Sequence, residues 1–491
     1  MTIPLTKRRR LIGTGVVLLL LFLVVLLSRV FLTGLAVGAL LKSAGAAEIK
    51  FHVAQASPWR LEVEDVGFLV SLQSFAAKRV TLDRAHWWTP SLGTLRVEQA
   101  RVPVRIADLA GGRSTGGSTT LPSRIPLEEF SIDGHLVIQA AGLPDQALTV
   151  NIEARPAAQG TWDAKAQVNG PGLILNAEGR YHLGSGELAF TLPVMSLDLK
   201  AWQGFLQHVV PLPAEEWELD GKFSGKAEGR LAGEKLTAGG SVQLREGRAH
   251  HAAKSITAEG IEADLEFIDF GGFATKPGTL RLRELRMGQL TLRELAAKFA
   301  LEGSDRITVL EVSLLALGGK VSAEPFTLAP SRSELDAVLL VEGISIKEVM
   351  ALTQELPAKA TGRVNGRFPV HLDSAGLRLG TGWLELMTGV RAEIEFNAKG
   401  LLTGGSAPNS PSYAVLQKIE SGLLKLKINE LRLDIRPTGA PDGRTAQLHI
   451  KGEPVDPEVK APVTLDLNVN GPLEKLLNMG MDSRLSIGSG K

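Results

Sequence analysis

Few residues in this chain have the types and spacing that chemistry requires. The pair His250-His251 is the densest histidine group. Neighbouring residues on a strand point to opposite faces, so the pair cannot present two imidazoles to one metal ion and reads as a polar loop or strand edge. The acidic pairs Glu128-Glu129 and Glu215-Glu216 carry groups suited to general acid–base work, but adjacent carboxylates in polar segments read as solvated surface. Gly184-Ser185-Gly186 lacks the spacing of a nucleophile elbow and sits between strand-like runs, as a hairpin turn would. No phosphate-binding glycine motif occurs. Cysteine is absent, which removes disulfides, thiol catalysis and Cys-held zinc or iron–sulfur centres. No catalytic residue, metal ligand or cofactor is assigned, and an enzyme is not expected.

The elements that would position any site are overwhelmingly strands. Leu61-Glu62-Val63-Glu64 alternates in polarity, as do Trp217, Leu219, Gly221 and Phe223 with their neighbours. The pairs Leu280, Leu282 and Leu290, Leu292 are separated by Arg or Thr. Val390, Ala392, Ile394 and Phe396 alternate with charged residues. Leu424, Leu426 and Ile428 alternate with lysines, then Leu431, Leu433 and Ile435 resume after a one-residue phase shift. Ala446, Leu448, Ile450 and finally Val463, Leu465, Leu467, Val469 repeat the theme. Such alternation predicts an antiparallel sheet with one apolar and one wet face. Glycine pairs at 239–240, 271–272, 318–319 and 404–405 read as turns.

Helical spacing interrupts the strands at Leu197–Val209 (Leu199, Trp202, Leu206, Val209), at Ser345–Leu356 behind a capping Ser345, and at Ser412–Leu424. A last short helix is expected after Pro472. These helices stand between strand blocks, so they read as plugs or flaps on a sheet. Gly111–Thr120, without a large apolar residue, reads as a linker within 109–124.

The N-terminus adds a membrane signal. Lys7, Arg8, Arg9 and Arg10 precede the apolar run Leu11–Leu27, about one bilayer thick at roughly 1.5 Å per residue. Ala44-Gly45-Ala46 has a small-x-small pattern, but the run exceeds a signal h-region and lies far from such a cleavage site, so a retained anchor is expected. The basic cluster places residues 1–10 in the cytoplasm and the body beyond the membrane. Trp87-Trp88 before Pro90 suits a membrane interface, a groove mouth or an ordinary core aromatic. The formal net charge is +1 and basic residues interleave with acidic ones, so nucleic acid is not an expected partner.

The layout resembles the AsmA-like proteins of the Gram-negative envelope, and the C-terminal part resembles their YdbH branch most closely. The stretches carrying this are ATGRVNGRFPVHLDSAGLRLGTGWLELM (360–387), SYAVLQKIESGLLKLKINELRLDIRP (412–437) and TAQLHIKGEPVDPEVKAPVTLDLNVNGPLEKLL (445–477). The middle, 217–350, shares the group's general style. The resemblance implies a mainly β fold: one N-terminal transmembrane helix, then a long, twisted antiparallel, taco-like β-groove with a few short amphipathic helices. It implies phospholipid transport between inner and outer membranes, with phospholipids, the inner membrane and an outer-membrane lipoprotein or protein as partners. A dicarboxylate-transport label also attached to the C-terminal region is explained by no residue here.

The expected division is a cytoplasmic tail (1–10), an anchor with juxtamembrane segment (11–41), a membrane-proximal strand block (48–108), the linker (109–124), a central β-groove (125–350) and a YdbH-like C-terminal region with capping helices (351–491). Groove-lining candidates are Leu280, Leu282, Ile394, Phe396, Leu426, Ile428, Leu448, Ile450, Leu465 and Leu467. Each is equally explained as packing in a closed sandwich. The alternative function is a structural or assembly factor for outer-membrane biogenesis, working through exposed strand edges.

Overall fold

The computed structural model describes residues 37–39, 41–42, 46–70, 73–84, 92–105, 127–157, 160–209, 217–233, 235–288, 290–332, 334–351, 358–373, 376–396, 411–437, 444–457, 459 and 461–470. The expected anchor Leu11–Leu27, its basic cluster Lys7–Arg10, Trp87-Trp88, the linker glycines, Gly404-Gly405, Glu215-Glu216 and the helix after Pro472 lie outside them. No helix among the described residues is long and apolar enough to cross a membrane. The fold is mainly β, as expected, with a few short helices. The chain divides into two compact units, Met1–Leu212 with Ser224–Ala238 and Pro213–Phe223 with Gly239–Lys491.

The first unit opens with β1 (Ala47–Ala56), β2 (Arg60–Val70), β3 (Gln73–Asp83) and β4 (Thr94–Arg105), each antiparallel to the next. It continues with β5 (Glu129–Gln139), β6 (Gln146–Pro156), β7 (Thr161–Gly170), β8 (Leu173–His182) and β9 (Glu187–Asp198), again antiparallel. The expectation of a wholly antiparallel sheet fails at one place: β4 and β5 pair in parallel, from Thr94 opposite Glu129 to Arg105 opposite Gln139. A parallel pair needs a connection of a dozen or more residues, and the chain between Arg105 and Glu129 exceeds that. Gly184-Ser185-Gly186 is the expected hairpin turn between β8 and β9, closed by the Gly186 N–H donating to the His182 carbonyl at 2.9 Å. After β9 comes α1 (Leu199–Val209), whose first turn is capped by the Asp198 carboxylate accepting from the Ala201 N–H at 3.1 Å.

β10 (Trp217–Ala232) has its first residues in the second unit and the rest in the first. Strands β11 (Lys235–His251) and β12 (Ile256–Asp269) follow, then the two-residue β13 (Ala274–Thr275), β14 (Gly278–Met287), β15 (Leu290–Leu301) and β16 (Ile307–Ala316). Next are β17 (Gly319–Ala323), β18 (Phe326–Ala329), β19 (Glu334–Ser345), α2 (Ile346–Ala351), β20 (Ala358–Thr361), β21 (Arg363–Asp373) and β22 (Gly376–Leu379). The unit ends with β23 (Gly382–Leu386), β24 (Ala392–Phe396), α3 (Pro411–Leu424), β25 (Lys425–Ile435), β26 (Arg444–Pro454) and β27 (Val463–Asn470).

Two turns show how residue type sets this course. Ala316 pairs with Gly319 across a two-residue turn in which Leu317 and Gly318 both have positive φ, 50° and 71°, the conformation that matches the twist of a tight hairpin. At Gly271-Gly272 the Asp269 carboxylate accepts both glycine N–H groups at 3.0 Å, an Asx-type turn. Gly239-Gly240, expected as a turn, instead lies inside β11. A Cβ on Gly239 would come within 2.9 Å of the Phe267 carbonyl, so glycine here answers a close backbone approach within the sheet.

The phase shift read at Asn429 is a slip in the β25–β26 register: Ile428 faces Gly452, and the next pair is Glu430 with Lys451. On its other edge the same strand serves two neighbours. Before the slip β25 pairs with β24, and after it with β23.

Candidate functional site

Residues opposite each other in a ladder point to the same side of the sheet, so the registers trace the faces directly. In the second unit Leu280 lies between Ala263 of β12 and Ala297 of β15, and Leu282 between Ile261 and Leu295. The same side continues through Val312, Ala323 and Leu339 to Phe368. From Gly366 it passes through Leu384, Leu433 and Leu448 to Leu467. One face therefore carries an apolar ladder through β12, β14, β15, β16, β17, β19, β21, β23, β25, β26 and β27.

Burial along this ladder is uneven. Leu280, Leu282, Leu295, Ala297 and Val312 are half-buried. Towards the C-terminal end the face closes: Ala392, Leu426, Ala446 and Ile450 are wholly inaccessible, with Ile428 and Ile394 nearly so. Ile346 and Met350 of α2, with Phe396, Leu448 and Leu465, pack on that cluster. The ten candidate residues thus occupy three environments. Leu280 and Leu282 sit on the half-open face. Ile394, Phe396, Leu426, Ile428, Leu448, Ile450 and Leu465 build or border a closed core. Leu467 is 41% exposed on β27. Alternation in the sequence is the same for all ten, so it carries no signal that separates them.

The helices sit where flaps would. Ser345 caps α2, its hydroxyl accepting the Glu348 N–H at 3.4 Å; the helix ends at Ala351, and its expected extension to Leu356 lies outside the described residues. α3 runs against β24 and β25. In the first unit, Trp202 and Phe205 of α1 are buried against Ile138 and Leu148. Phe205 was not among the residues expected to face the sheet; it follows Trp202 at i+3, the spacing that would have found it.

The opposite face is polar and laced by ion pairs between residues directly across the ladder. Asp163 pairs with Arg180 at 2.7 Å and Lys165 with Glu178 at 3.3 Å in the first unit. In the second, His449 pairs with Asp466 at 2.6 Å, and His371 pairs with Asp336. The Arg180 hydrogen bond holds the Asp163 carboxyl below its usual range, and the Lys451 hydrogen bond does the same to Glu430. The Asp336 hydrogen bond raises the His371 pKa, with the Asp336 charge adding to it. Solvent screening leaves each exposed pair with little stabilising effect, but the set keeps this face wet.

The chemistry-bearing residues end elsewhere. His250 and His251 terminate β11 on opposite faces. The polar setting expected for them fails for His251, which is 1% exposed beneath the Trp217 ring (centroids 4.9 Å apart, edge on) and accepts the Lys254 N–H at 3.3 Å. Apolar cover from Trp217, invisible in local sequence, makes it a core residue. Among the described residues no group of three or more His, Asp or Glu is placed to hold a metal ion. A cleft of about 680 Å³ beside the start of β17 is lined by Glu348, Lys320 and Arg293 together with apolar residues of β15 and β16.

A mainly antiparallel sheet protein with one apolar and one ion-paired face, and the short helices α1 and α2 packed on apolar clusters, is the class these features define. Residues 197–387 match the family model YdbH-like, described as "Intermembrane phospholipid transport protein YdbH". The chain resembles that family, and the match covers the middle of the chain and reaches 360–387, the first of the three stretches that carry the sequence resemblance. No curated protein matches the chain, and no solved structure does.

Proposed function

We propose that this protein shields phospholipids in transit between inner and outer membranes, holding acyl chains against the apolar faces of its sheets. The observation that carries the reading is the ladder through Leu280 and Leu282: apolar at each step from β12 through β14, β15, β16 and β17 to β19, and half-open instead of packed shut. The description of the matching family supports it.

The physical logic is one of graded cost. Each CH₂ of a lipid tail exposed to water costs about 0.8 kcal/mol. A ladder of side chains repeating every strand, about 4.8 Å apart, lets a tail slide from one covered position to the next without meeting that full penalty. The ion-paired face keeps the sheet soluble while the other side meets lipid. In this reading the basic cluster Lys7–Arg10 and the run Leu11–Leu27 tether the chain to the inner membrane, with the body in the periplasm. The protein does no chemistry on its cargo and is not an enzyme.

Detergent-solubilised protein is expected to co-purify with phospholipid and to move labelled phospholipid between donor and acceptor vesicles. Leu280→Glu with Leu282→Glu should cut that transfer several-fold while leaving the strand content unchanged. Folded protein free of phospholipid, or transfer indifferent to the double substitution, would overturn the proposal.

A further inference from the structure

The first unit carries the same kind of apolar face, and one part of it is occupied by the protein itself. On β6–β8 the face is half-buried at Ile152, Ala166, Leu175 and Ala177. It becomes buried at Ile138 and Leu148, where α1 lies on it. The seat there is aliphatic, made by Leu136, Ile138, Leu148 and Val168, while the helix supplies Trp202 and Phe205, rings 5.4 Å apart. Glycines let the helix settle. A Cβ on Gly172 would stand 3.0 Å from the Ala201 Cβ, and one on Gly204 would meet the Leu143 side chain at 3.1 Å. A polar anchor adds to this, the Trp202 Nε1–H donating to the Pro171 carbonyl at 2.9 Å.

Resting on the lipid reading above, we propose that this seat is an acyl-chain site and that α1 occupies it as an internal stand-in for a lipid tail, lifting away when lipid binds. Size and chemistry both fit. An eleven-residue helix is about 16 Å long at 1.5 Å per residue, close to half of a ~30 Å bilayer core, which is the reach of one tail. The seat offers aliphatic side chains and the helix answers with apolar ones, the same exchange a tail would make. The site takes a single hydrocarbon chain, so the headgroup stays outside it.

The cysteine-free chain makes the test clean. Leu143→Cys with Gly204→Cys sets a thiol near the present Leu143 Cγ, which stands 3.8 Å from the space a Cβ on Gly204 would fill, and loss of free thiol on oxidation verifies the bridge. Oxidation then pins α1 down. The full-length protein is mixed with phosphatidylethanolamine–phosphatidylglycerol vesicles carrying a photoreactive acyl chain, irradiated, and mapped by mass spectrometry. Labelling within 136–150 is expected in the reduced form, at least five-fold less when oxidised, and restored by reductant, while labelling around 280–282 stays constant. Trp202→Ala, which needs no disulfide, should raise labelling within 136–150. Equal labelling of the pinned and reduced forms overturns the proposal. So does an unlabelled seat in both the reduced form and Trp202→Ala when 280–282 is labelled. Absence of label from both regions overturns the lipid reading and this inference with it.

Discussion

Leu426 lies directly opposite Ile394 across the β24–β25 ladder, and the pair is sealed, 0% and 8% exposed. Leu280 opposite Ala297 belongs to the same kind of ladder but stays half-open. Truncating the two leucines should therefore separate packing from surface. Leu426→Ala is expected to cost about 2–5 kcal/mol, the range for a buried leucine, and Leu280→Ala about 1 kcal/mol or less. Urea unfolding read by circular dichroism measures both. Comparable losses would show that the Leu280 face is as closed as the Leu426 core.

The Trp202 anchor predicts a graded series in the first unit. Trp202→Phe keeps most of the apolar contact but removes the donor to Pro171, a loss of about 0.5–1.5 kcal/mol. Trp202→Ala also vacates the seat between Ile138 and Leu148 and should cost about 3–5 kcal/mol. Local stability is best followed by hydrogen exchange of α1 and β6, because the two units need not unfold together.

Gly318 tests the hairpin. Its φ of 71° disfavours any side chain, and a Cβ there would stand 2.8 Å from the Glu348 carboxylate. Gly318→Ala should destabilise by about 1 kcal/mol or somewhat more. Pairing it with Glu348→Ala should recover the part due to the contact and leave the backbone part, a double-mutant cycle that divides the two.

His371 gives a pH signature. Its pKa is raised above 6.5, chiefly by the hydrogen bond with Asp336, so the contribution of this pair is complete below the unfolded value and fades as pH rises through the folded one. Proton NMR should find the imidazole midpoint above 6.5, and Asp336→Asn should bring it down. Because the pair is exposed, global stability should hardly respond. A midpoint at or below 6.5 in the wild type would contradict the pairing.

Much of the fold was legible locally because strand alternation is a period-two signal that survives without tertiary context. The strands holding Leu61–Glu64, Trp217–Phe223 and Leu280–Leu282 stand where alternation put them, and even the slip at Asn429 was readable as a change of phase. The Ser345 cap was readable too, because a hydroxyl before a helical stripe serves its own first turn. The parallel join of β4 and β5 was not, since nothing in either strand encodes which way its neighbour runs. Gly239-Gly240 misled for a related reason: glycine marks a turn and a close strand-to-strand approach equally well.

The residues by themselves determined that this chain builds two-faced strands, because side-chain polarity every second position is a property of the chain alone. Which apolar faces stay half-open, as at Leu280, and which are shut, as at Leu426 or beneath Trp202, was decided only by tertiary structure. Burial depends on what another segment lays across a face, and identical alternation serves a half-open apolar surface and a sealed core alike.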